Sequence, residues 1–288
     1  MTRTVFVNGH FVPAAEASVS VMDRGFLFGD GIYEVAAVIG GRLVDNEAHL
    51  ARLDRSLAAI RIPNPYGTGE WTRLEEELVR RNELAEGLVY MQVTRGAAER
   101  DFAFPAGAEP TVVMFTQPKA ILGSPQAETG VAVATVDDLR WKRRDIKSVA
   151  LLAQVLAKQA AVDAGVYEAW MVEDGFVTEG SSSTAFIVTA DGRIVTRPLS
   201  HAILPGITRV AIMRLAAETG LAVEERLFSV DEAHAAAEAF LTSASALVLP
   251  VVRIDGRPVG GGEPGPVARR LRALYLESAG VAPTTRAA

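Results

Sequence analysis

Arg144-Asp145-Ile146-Lys147-Ser148-Val149 ends an apolar segment and is predicted to open a long helix, and about thirty residues later follows Val177-Thr178-Glu179-Gly180-Ser181-Ser182-Ser183. A partly desolvated lysine can form a Schiff base, because burial lowers the pKa of its amine. A carboxylate in the same site can keep a heterocyclic ring nitrogen protonated. Most lysines and glutamates are solvated surface charges, so the surrounding sequence must decide whether these two are functional.

Length and composition indicate a large globular protein. A chain of 288 residues is long enough for two domains of about 100 to 170 residues each. It contains no cysteine, which excludes disulfides, thiolate metal sites and cysteine nucleophiles. The 29 Lys and Arg residues and 35 Asp and Glu residues give a net charge of −6, unlike the basic footprint of a nucleic-acid-binding protein.

The sequence also predicts the cellular location of the protein. No apolar run approaches the roughly 18 residues of a membrane helix. The N-terminal segment 1–9 is predicted to form a strand and a turn rather than a basic region followed by an apolar leader. We therefore expect a cytoplasmic protein that binds neither membrane nor nucleic acid, and we predict no metal site.

Five two-residue turn signals predict tight antiparallel hairpins. Each pair lies between short apolar or alternating segments, and Asn-Gly, Asp-Gly and Gly-Gly suit the positive φ angles of such turns. The pairs are Asn8-Gly9, Gly40-Gly41, Asp174-Gly175, Asp191-Gly192 and Asp255-Gly256. The chain is therefore predicted to be rich in antiparallel strands.

Segments with apolar residues at helical spacing interrupt these strands. The predicted helices cover 46–60, 68–83, 148–164, 206–219 and 265–278. Strands and helices mix without a regular strand-helix-strand alternation, which favours an α+β fold over a doubly wound sheet. Because a stretch with prolines, glycine and polar residues separates two predicted strands, we expect a small domain over 1–120, a linker over 121–129 and a large domain over 130–288.

Two small segments could form the walls of an anion site. In Leu204-Pro205-Gly206-Ile207-Thr208-Arg209, a glycine and a threonine precede an amphipathic stretch, and the unpaired N–H groups of a helix start suit a phosphate. The loop Phe240-Leu241-Thr242-Ser243-Ala244-Ser245-Ala246 could supply further N–H groups. An ordinary helix cap and a serine-rich turn would explain the same residues, and caps are common.

His49-Leu50-Ala51-Arg52-Leu53 lies on a predicted helix. Leu50 and Leu53 are core candidates, whereas Arg52 falls between them and would usually be solvated. An arginine fork fits a phosphate bidentately, so Arg52 gains interest if a phosphate is implied elsewhere. His49 is more typical of helix packing than of catalysis.

Six ordered motifs extend over most of the chain, from about residue 3 to residue 275. They are DRGFLFGDGIYE at 23–34, HLARL at 49–53, QVTRG at 92–96, DIKS at 145–148, TEGSSS at 178–183 and LPGITR at 204–209. In this order and spacing they resemble the class IV (fold type IV) pyridoxal-phosphate-dependent aminotransferases. Agreement over six ordered motifs is not expected by chance.

The resemblance implies a two-domain α+β fold of type IV, with antiparallel-rich sheets and packed helices, and pyridoxal 5′-phosphate as cofactor. Lys147 would form the Schiff base and then move the proton from the substrate Cα. Glu179 would pair with the pyridinium nitrogen, and Leu204 would pack on the ring face. Arg140 would support these residues without contacting the cofactor itself. The phosphate would be bound by Arg52, Ile207, Thr208, Ser243 and Ala244. Members of this family are generally homodimers, so we expect one here.

The segment 92–105 is most similar to the substrate loop of D-amino-acid aminotransferases. There Arg100 would hold the substrate carboxylate, and Tyr33 would direct its hydroxyl toward the active site. Those enzymes typically have a histidine where this chain has Phe102, so half of the carboxylate trap is absent and substrates without an α-carboxylate become plausible. Ala244 stands where a threonine is common; since its N–H remains, phosphate binding should weaken only modestly.

The leading hypothesis is a transaminase that moves an amino group between a D-amino acid, such as D-alanine or D-glutamate, and a 2-oxo acid. Within the same family the alternatives are an (R)-selective amine transaminase, a branched-chain L-amino-acid aminotransferase and an aminodeoxychorismate lyase. A catalytically silent cofactor-binding scaffold is the alternative outside enzymes, although Lys147 and Glu179 argue against it. The sequence does not order these by side-chain preference.

Overall fold

The computed structural model describes residues 3–281 and divides into two compact units. The first unit runs to Ile121 and takes in the later segment Ile146–Leu151. The second unit contains Leu122–Asp145 and continues from Leu152. The end of the predicted large domain, 282–288, lies outside the described residues.

The first unit is built on a six-stranded antiparallel sheet with the strand order β2-β1-β6-β5-β3-β4. Its elements are β1 (Thr4–Val7), β2 (His10–Pro13), α1 (Arg24–Phe28), β3 (Gly31–Ile39), β4 (Arg42–Leu43), α2 (Asn46–Ala59), α3 (Thr68–Arg81), β5 (Glu86–Thr94) and β6 (Thr111–Pro118). Helices α2 and α3 pack their apolar faces in one core with the sheet, where Leu53, Leu57 and Leu78 are almost completely buried. Each such leucine contributes about 1.5 to 3 kcal/mol to stability.

The second unit contains a nine-stranded mixed sheet. Its elements are α4 (Pro125–Thr129), β7 (Val131–Asp137), α5 (Leu152–Asp163), β8 (Glu168–Glu173), β9 (Phe176–Gly180), β10 (Thr184–Val188), β11 (Ile194–Thr196), α6 (Ile207–Glu218), β12 (Val223–Glu225), α7 (Val230–His234), β13 (Glu238–Ser243), β14 (Leu247–Ile254), β15 (Arg257–Pro258) and α8 (Pro266–Ser278). The strand order is β12-β11-β10-β13-β14-β7-β8-β9, with β15 paired to β14. The pairs β11–β12, β14–β7 and β7–β8 are parallel and the others are antiparallel.

All five predicted hairpins are confirmed. They join β1 to β2, β3 to β4, β8 to β9, β10 to β11 and β14 to β15. In four of them both turn residues have positive φ, as at Asn8 (46°) and Gly9 (90°), whereas in the turn at 191–192 only Gly192 does. The turn chemistry therefore sets these connections locally.

The start of the third predicted helix is wrong. The helix α5 begins at Leu152 rather than at Ser148, because the preceding residues pair with β3. Tyr33 N–H donates to the Lys147 carbonyl at 2.9 Å, and Val149 N–H donates to the Gly31 carbonyl at 3.1 Å. Lys147 therefore lies in a non-helical segment that is hydrogen-bonded to β3 rather than at a helix start.

The two units differ in two details from the predicted division of the chain. The predicted linker 121–129 contains the helix α4, and the second unit begins at Leu122. The segment Ile146–Leu151, predicted to lie in the large domain, belongs to the first unit, where Ile146 is buried in the core. The hydrogen bonds to β3 and this apolar contact explain its placement.

Within residues 3–281, the structure contains no helix that is both long and apolar enough to span a membrane.

Candidate active site

Lys147 and Tyr33, two of the predicted site residues, are brought together in the first unit. Lys147 Nζ lies 4.1 Å from the centroid of the Tyr33 ring, and both side chains are half-buried. The Lys147 carbonyl is tied to β3 by the backbone bond described above, and its N–H lies 3.5 Å from Ser56 Oγ. The backbone and the ring together hold the amine in a defined position, with a cation–π contact to the tyrosine.

The predicted substrate loop presents Arg100 at the surface of the first unit. The Arg100 guanidinium carbon lies 5.4 Å from the ring centroid of Phe28 and 5.6 Å from that of Phe102. The two rings are 5.5 Å apart, and Phe102 is 79% exposed. In the described part of the chain, no carboxylate forms an ion pair with Arg100. Its fork can therefore receive a carboxylate from a ligand.

Arg52 is buried rather than solvated, which corrects the prediction from its helical position. Its Nε lies 2.7 Å from Glu34 Oε1, and a terminal nitrogen lies 2.8 Å from Glu34 Oε2. His49 Nδ1 lies 2.8 Å from the same Oε2. Burial raises the pKa of Glu34, but the charge of Arg52 and the hydrogen bonds from Arg52 and His49 outweigh it and hold that pKa well below its usual range. Arg52 as a phosphate ligand stays a prediction.

A second buried carboxyl, Glu75 on α3, behaves in the opposite way. Asn46 Nδ2 donates to Glu75 Oε2 at 2.9 Å, and Glu75 is 2% exposed. The pKa of Glu75 is raised to about 8, mainly because the carboxyl is buried; the hydrogen bond from Asn46 lowers this pKa in part, and the charges of Glu34 and Glu76 raise it. The folded protein therefore holds a proton on Glu75 at neutral pH.

Replacing Glu75 with glutamine should flatten the pH dependence of stability. Between pH 4.5, the ordinary pKa, and about 8, the folded state keeps a proton that the unfolded chain releases, so wild-type stability falls as pH rises through this window. The melting temperature of Glu75→Gln, measured from pH 5 to 9, should rise relative to that of wild type as pH increases. Glu16→Gln, at an exposed position that does not act on the pKa of Glu75, is the control. Parallel curves for wild type and Glu75→Gln would show that Glu75 does not titrate in this way.

Glu179 is buried in the second unit between an arginine and a backbone donor. Arg140 Nη1 donates to Glu179 Oε1, and Leu204 N–H lies 3.1 and 3.2 Å from the two carboxylate oxygens. Arg140 is held in turn by Asp138, which accepts from its Nε at 2.9 Å and from Nη2 at 2.6 Å. Thr178 Oγ1 also donates to Asp138, at 2.6 Å. The Glu179 carboxylate is therefore held by Arg140, which is held in turn by Asp138.

Opposing effects act on the pKa of Glu179. Burial raises the pKa of its carboxyl, while the charge and hydrogen bond of Arg140 and the N–H of Leu204 lower it; the balance leaves this pKa above its ordinary value. Asp138, paired with Arg140, has a lowered pKa because that pair outweighs its burial. In its ionised form, Glu179 can hold a proton on a neighbouring basic nitrogen through charge attraction.

The start of α6, which contains two of the predicted phosphate residues, lies beside two threonines of the sheet in the second unit. Gly206 caps α6 without a side-chain hydrogen bond, and a Cβ on it would lie 2.8 Å from Thr184 Oγ1. Thr184 pairs across the sheet with Thr242, whose buried Oγ1 has no hydrogen-bond partner among the described residues. Uncapped N–H groups beside an unsatisfied hydroxyl fit a phosphate group.

The two segments predicted to bind phosphate are connected through Thr184 and Thr242. Ile207 and Thr208 begin α6, and Ser243 and Ala244 lie where β13 enters a turn. Ser243 Oγ accepts from Ala246 N–H at 3.1 Å and lies 3.4 Å from Ser245 Oγ. These contacts fix the turn, but which of its groups bind a phosphate stays a prediction.

Several supporting residues were missed by sequence reasoning. Glu34 and Asp138 hold Arg52 and Arg140. Glu168 accepts hydrogen bonds from the hydroxyls of three serines that follow Glu179 and Gly180, namely Ser181, Ser182 and Ser183. Each of these acids lies in or beside a strand, so periodicity alone did not distinguish it. Glu34 does belong to the quoted 23–34 motif, which was the available signal.

Across the described residues, no group of three His, Cys, Asp or Glu side chains could hold a metal ion.

Comparison with known proteins identifies the family. The family model for amino-transferase class IV matches residues 31–254. D-alanine aminotransferase from Bacillus licheniformis is 41% identical over 276 residues, which are 95% of this chain and 96% of that protein. The D-alanine aminotransferase of Staphylococcus aureus (strain MSSA476) is 42% identical over 95% of this chain and 98% of its own length. The chain belongs to the class IV aminotransferases.

A solved structure supports the same conclusion. The branched-chain amino acid aminotransferase of Escherichia coli has a TM-score of 0.91 and 25% sequence identity, covering 97% of this chain and 95% of that chain. The family and the fold predicted from the six motifs are therefore confirmed.

Proposed function

We propose that this protein is a pyridoxal 5′-phosphate-dependent transaminase that moves an amino group between a D-amino acid, such as D-alanine, and a 2-oxo acid. The observation that carries this proposal is the similarity to D-alanine aminotransferases over 95% of the chain. The buried, Arg140-paired Glu179 and the uncapped start of α6 support the cofactor. Turnover of D-alanine with 2-oxoglutarate, measured as pyruvate formed, tests the proposal.

Different residues would bind the two ends of the cofactor. Glu179 would face the ring nitrogen, because a carboxylate there keeps a proton on nitrogen through charge attraction. Ile207, Thr208, Ser243 and Ala244 would hold the phosphate through N–H and hydroxyl donors, with Arg52 adding positive charge. Leu204 would pack on the ring face while its N–H orients Glu179. The bound cofactor supplies an electron sink for the negative charge that develops at the substrate Cα.

Lys147 would perform the proton transfers. Its Nζ would hold the cofactor and, as a free amine, would accept the proton from the substrate Cα. The Tyr33 ring, 4.1 Å away, limits the directions that the amine can take. A general base in a fixed position needs no reorganisation during the proton transfer.

Arg100 would bind the substrate carboxylate, since its guanidinium is exposed on two aromatic rings. A charge-assisted pair of this kind selects amino acids over simple amines. Phe102 adds an apolar, exposed ring beside it, which favours activity with (R)-amines as a second candidate function. The ratio of kcat/KM for D-alanine to that for (R)-1-phenylethylamine distinguishes the two, and L-leucine tests the branched-chain alternative.

Arg100→Ala should raise KM for D-alanine about 10- to 100-fold, because a charge-assisted pair is lost. The carboxylate-free (R)-1-phenylethylamine should barely respond and serves as the internal control. Phe102→His should shift the kcat/KM ratio toward D-alanine, since it adds a donor and removes an apolar wall. If neither substitution moves this ratio, the carboxylate is bound elsewhere.

A homodimer is the proposed assembly. The helix α5 exposes apolar side chains along one face, at Leu152, Val155, Leu156 and Val162. A contiguous exposed apolar face of this kind is typical of a protein–protein contact, and a second copy of the chain would cover it. The absence of cysteine fits the cytoplasm, which we propose as its location.

The double substitution Val155→Glu, Leu156→Glu should convert the dimer to a monomer, because burying two carboxylates in an apolar contact is unfavourable. Light scattering after size-exclusion chromatography measures the mass of each variant. Val210→Glu, a half-exposed apolar position on α6, is the control. A double variant that remains dimeric would remove this face from the interface.

A further inference from the structure

The first part of the loop that carries Arg100 is fixed by backbone pairing. Arg24 N–H donates to the Gly96 carbonyl at 2.9 Å, and Ala98 N–H donates to the Met22 carbonyl at 3.3 Å. Asp23 and Ala97 form an isolated bridge between them. This pairing reaches Ala98, two residues before Arg100.

The next part of the loop is held by a side chain. Arg24 Nη1 donates to the Asp101 carbonyl at 2.6 Å, and Nη2 lies 3.5 Å from the Phe102 carbonyl. Arg24 is 3% exposed, and its Nε donates to Asp30 Oδ2 at 2.8 Å. One buried guanidinium therefore joins an acid of its own motif to two carbonyls of an exposed loop.

Aromatic contacts connect the same arginine to the side chains of the loop. The Arg24 guanidinium carbon lies 4.7 Å from the centroid of Phe28. The other side-chain neighbours of that ring include Phe102 and the guanidinium of Arg100. The Arg24 side chain thus contacts the backbone of the loop directly and the side chains of the loop by way of Phe28.

We propose that Arg24 is a positioning residue that fixes the Arg100 loop and thereby sets how tightly the substrate carboxylate is bound. The proposal rests on the proposed function of Arg100. Asp101 follows Arg100 directly, so the bond to the Asp101 carbonyl restricts the backbone from which the Arg100 side chain extends. A loop that is already ordered loses less conformational entropy when it binds substrate, which lowers KM.

The geometry requires an arginine at this position. Three acceptors, one carboxylate and two carbonyls, lie around one planar fork, and each nitrogen addresses a different one. A lysine retains the charge but has a single nitrogen on a flexible stem, so it cannot reach all three. Arg24→Lys therefore removes the three-way hydrogen bonding of the guanidinium while it keeps the positive charge.

Two measurements test the proposal. The first is the rate of chymotrypsin cleavage after the exposed Phe102, with the site identified by mass spectrometry; Arg24→Lys should increase it about 10-fold, because the loop opens more often. The second is steady-state kinetics, in which KM for D-alanine should rise about 10-fold while kcat changes less than about 3-fold. Arg209→Lys is the matched control for the cleavage rate, since Arg209 is equally buried and also joins a carboxylate and a carbonyl, in the second unit.

Each outcome decides one point. Unchanged cleavage after Phe102 in Arg24→Lys overturns the proposal, whatever reaction the enzyme performs. Faster cleavage with unchanged KM for D-alanine overturns the link to carboxylate binding. A wild-type protein inactive on D-amino acids would contradict the proposed function, while the cleavage assay would still report on the loop. Should Arg24→Lys fail to fold, Phe28→Leu, which removes the ring between Arg24 and the loop, should show the same faster cleavage.

Discussion

Lys147→Ala is expected to abolish transamination while leaving the fold intact. The substitution removes the Schiff-base amine and the base that takes the Cα proton, so kcat should fall by about three orders of magnitude or more. The side chain is only half-buried, and the backbone bonds to β3 remain, so the melting temperature should change little. Pyruvate formation from D-alanine and a thermal melt measure the two effects.

The chain offers a matched control for this experiment in Lys158. Its Nζ also lies over a tyrosine ring, 4.8 Å from the centroid of Tyr167, and donates to the Tyr167 carbonyl. Lys158→Ala removes the same side chain and a similar cation–π contact, yet it should retain most of the activity. Near-native turnover of Lys147→Ala without added amine would show that Lys147 is not the catalytic lysine.

The hairpins could be predicted because their determinants are local. At Asn8-Gly9 and Asp174-Gly175 both residues adopt positive φ, a conformation that glycine, asparagine and aspartate tolerate best. The resulting antiparallel character follows from residues adjacent in sequence. The same reasoning located α2, which begins at the predicted Asn46 and ends at Ala59, one residue before the predicted end.

The errors arose where distant residues decide the structure. The residues after Lys147 have helical spacing, but the backbone of β3, more than 100 residues earlier, takes their hydrogen bonds. Arg52 lies between core leucines in sequence but off their face of the helix, and its pairing with Glu34 on β3 makes its burial favourable. Periodicity describes one element at a time and carries no information on such partners.

The candidate site shows the same division. Lys147, Glu179 and the phosphate residues could be proposed because each lies in a motif with its own chemistry. The groups that hold them, among them Arg24 and Asp138, make their contacts through tertiary structure. Motifs therefore located the reacting groups, whereas the structure supplied the residues that position them.

The electrostatic role of Glu179 gives the second large prediction. Glutamine preserves the shape of the side chain and can still accept from Leu204 N–H and from Arg140, but it lacks the negative charge that would hold a proton on the ring nitrogen. Losing a preorganised charge at a developing charge costs about 100- to 1,000-fold in rate. Since Asp138 still pairs with Arg140 in the variant, the arginine keeps a counter-ion and the fold should survive.

Glu179→Gln should therefore bind the cofactor, as measured by equilibrium dialysis, while kcat for D-alanine falls about 100- to 1,000-fold. Glu173→Gln is the matched control, because Glu173 forms a two-bond pair with Arg144, and Arg144 contacts Asp138 in the same charge network. That variant alters the network without touching Glu179 and should retain activity. If Glu179→Gln kept wild-type turnover, or if Glu173→Gln lost as much, Glu179 would be a structural member of the network and the cofactor's ring nitrogen would have another partner.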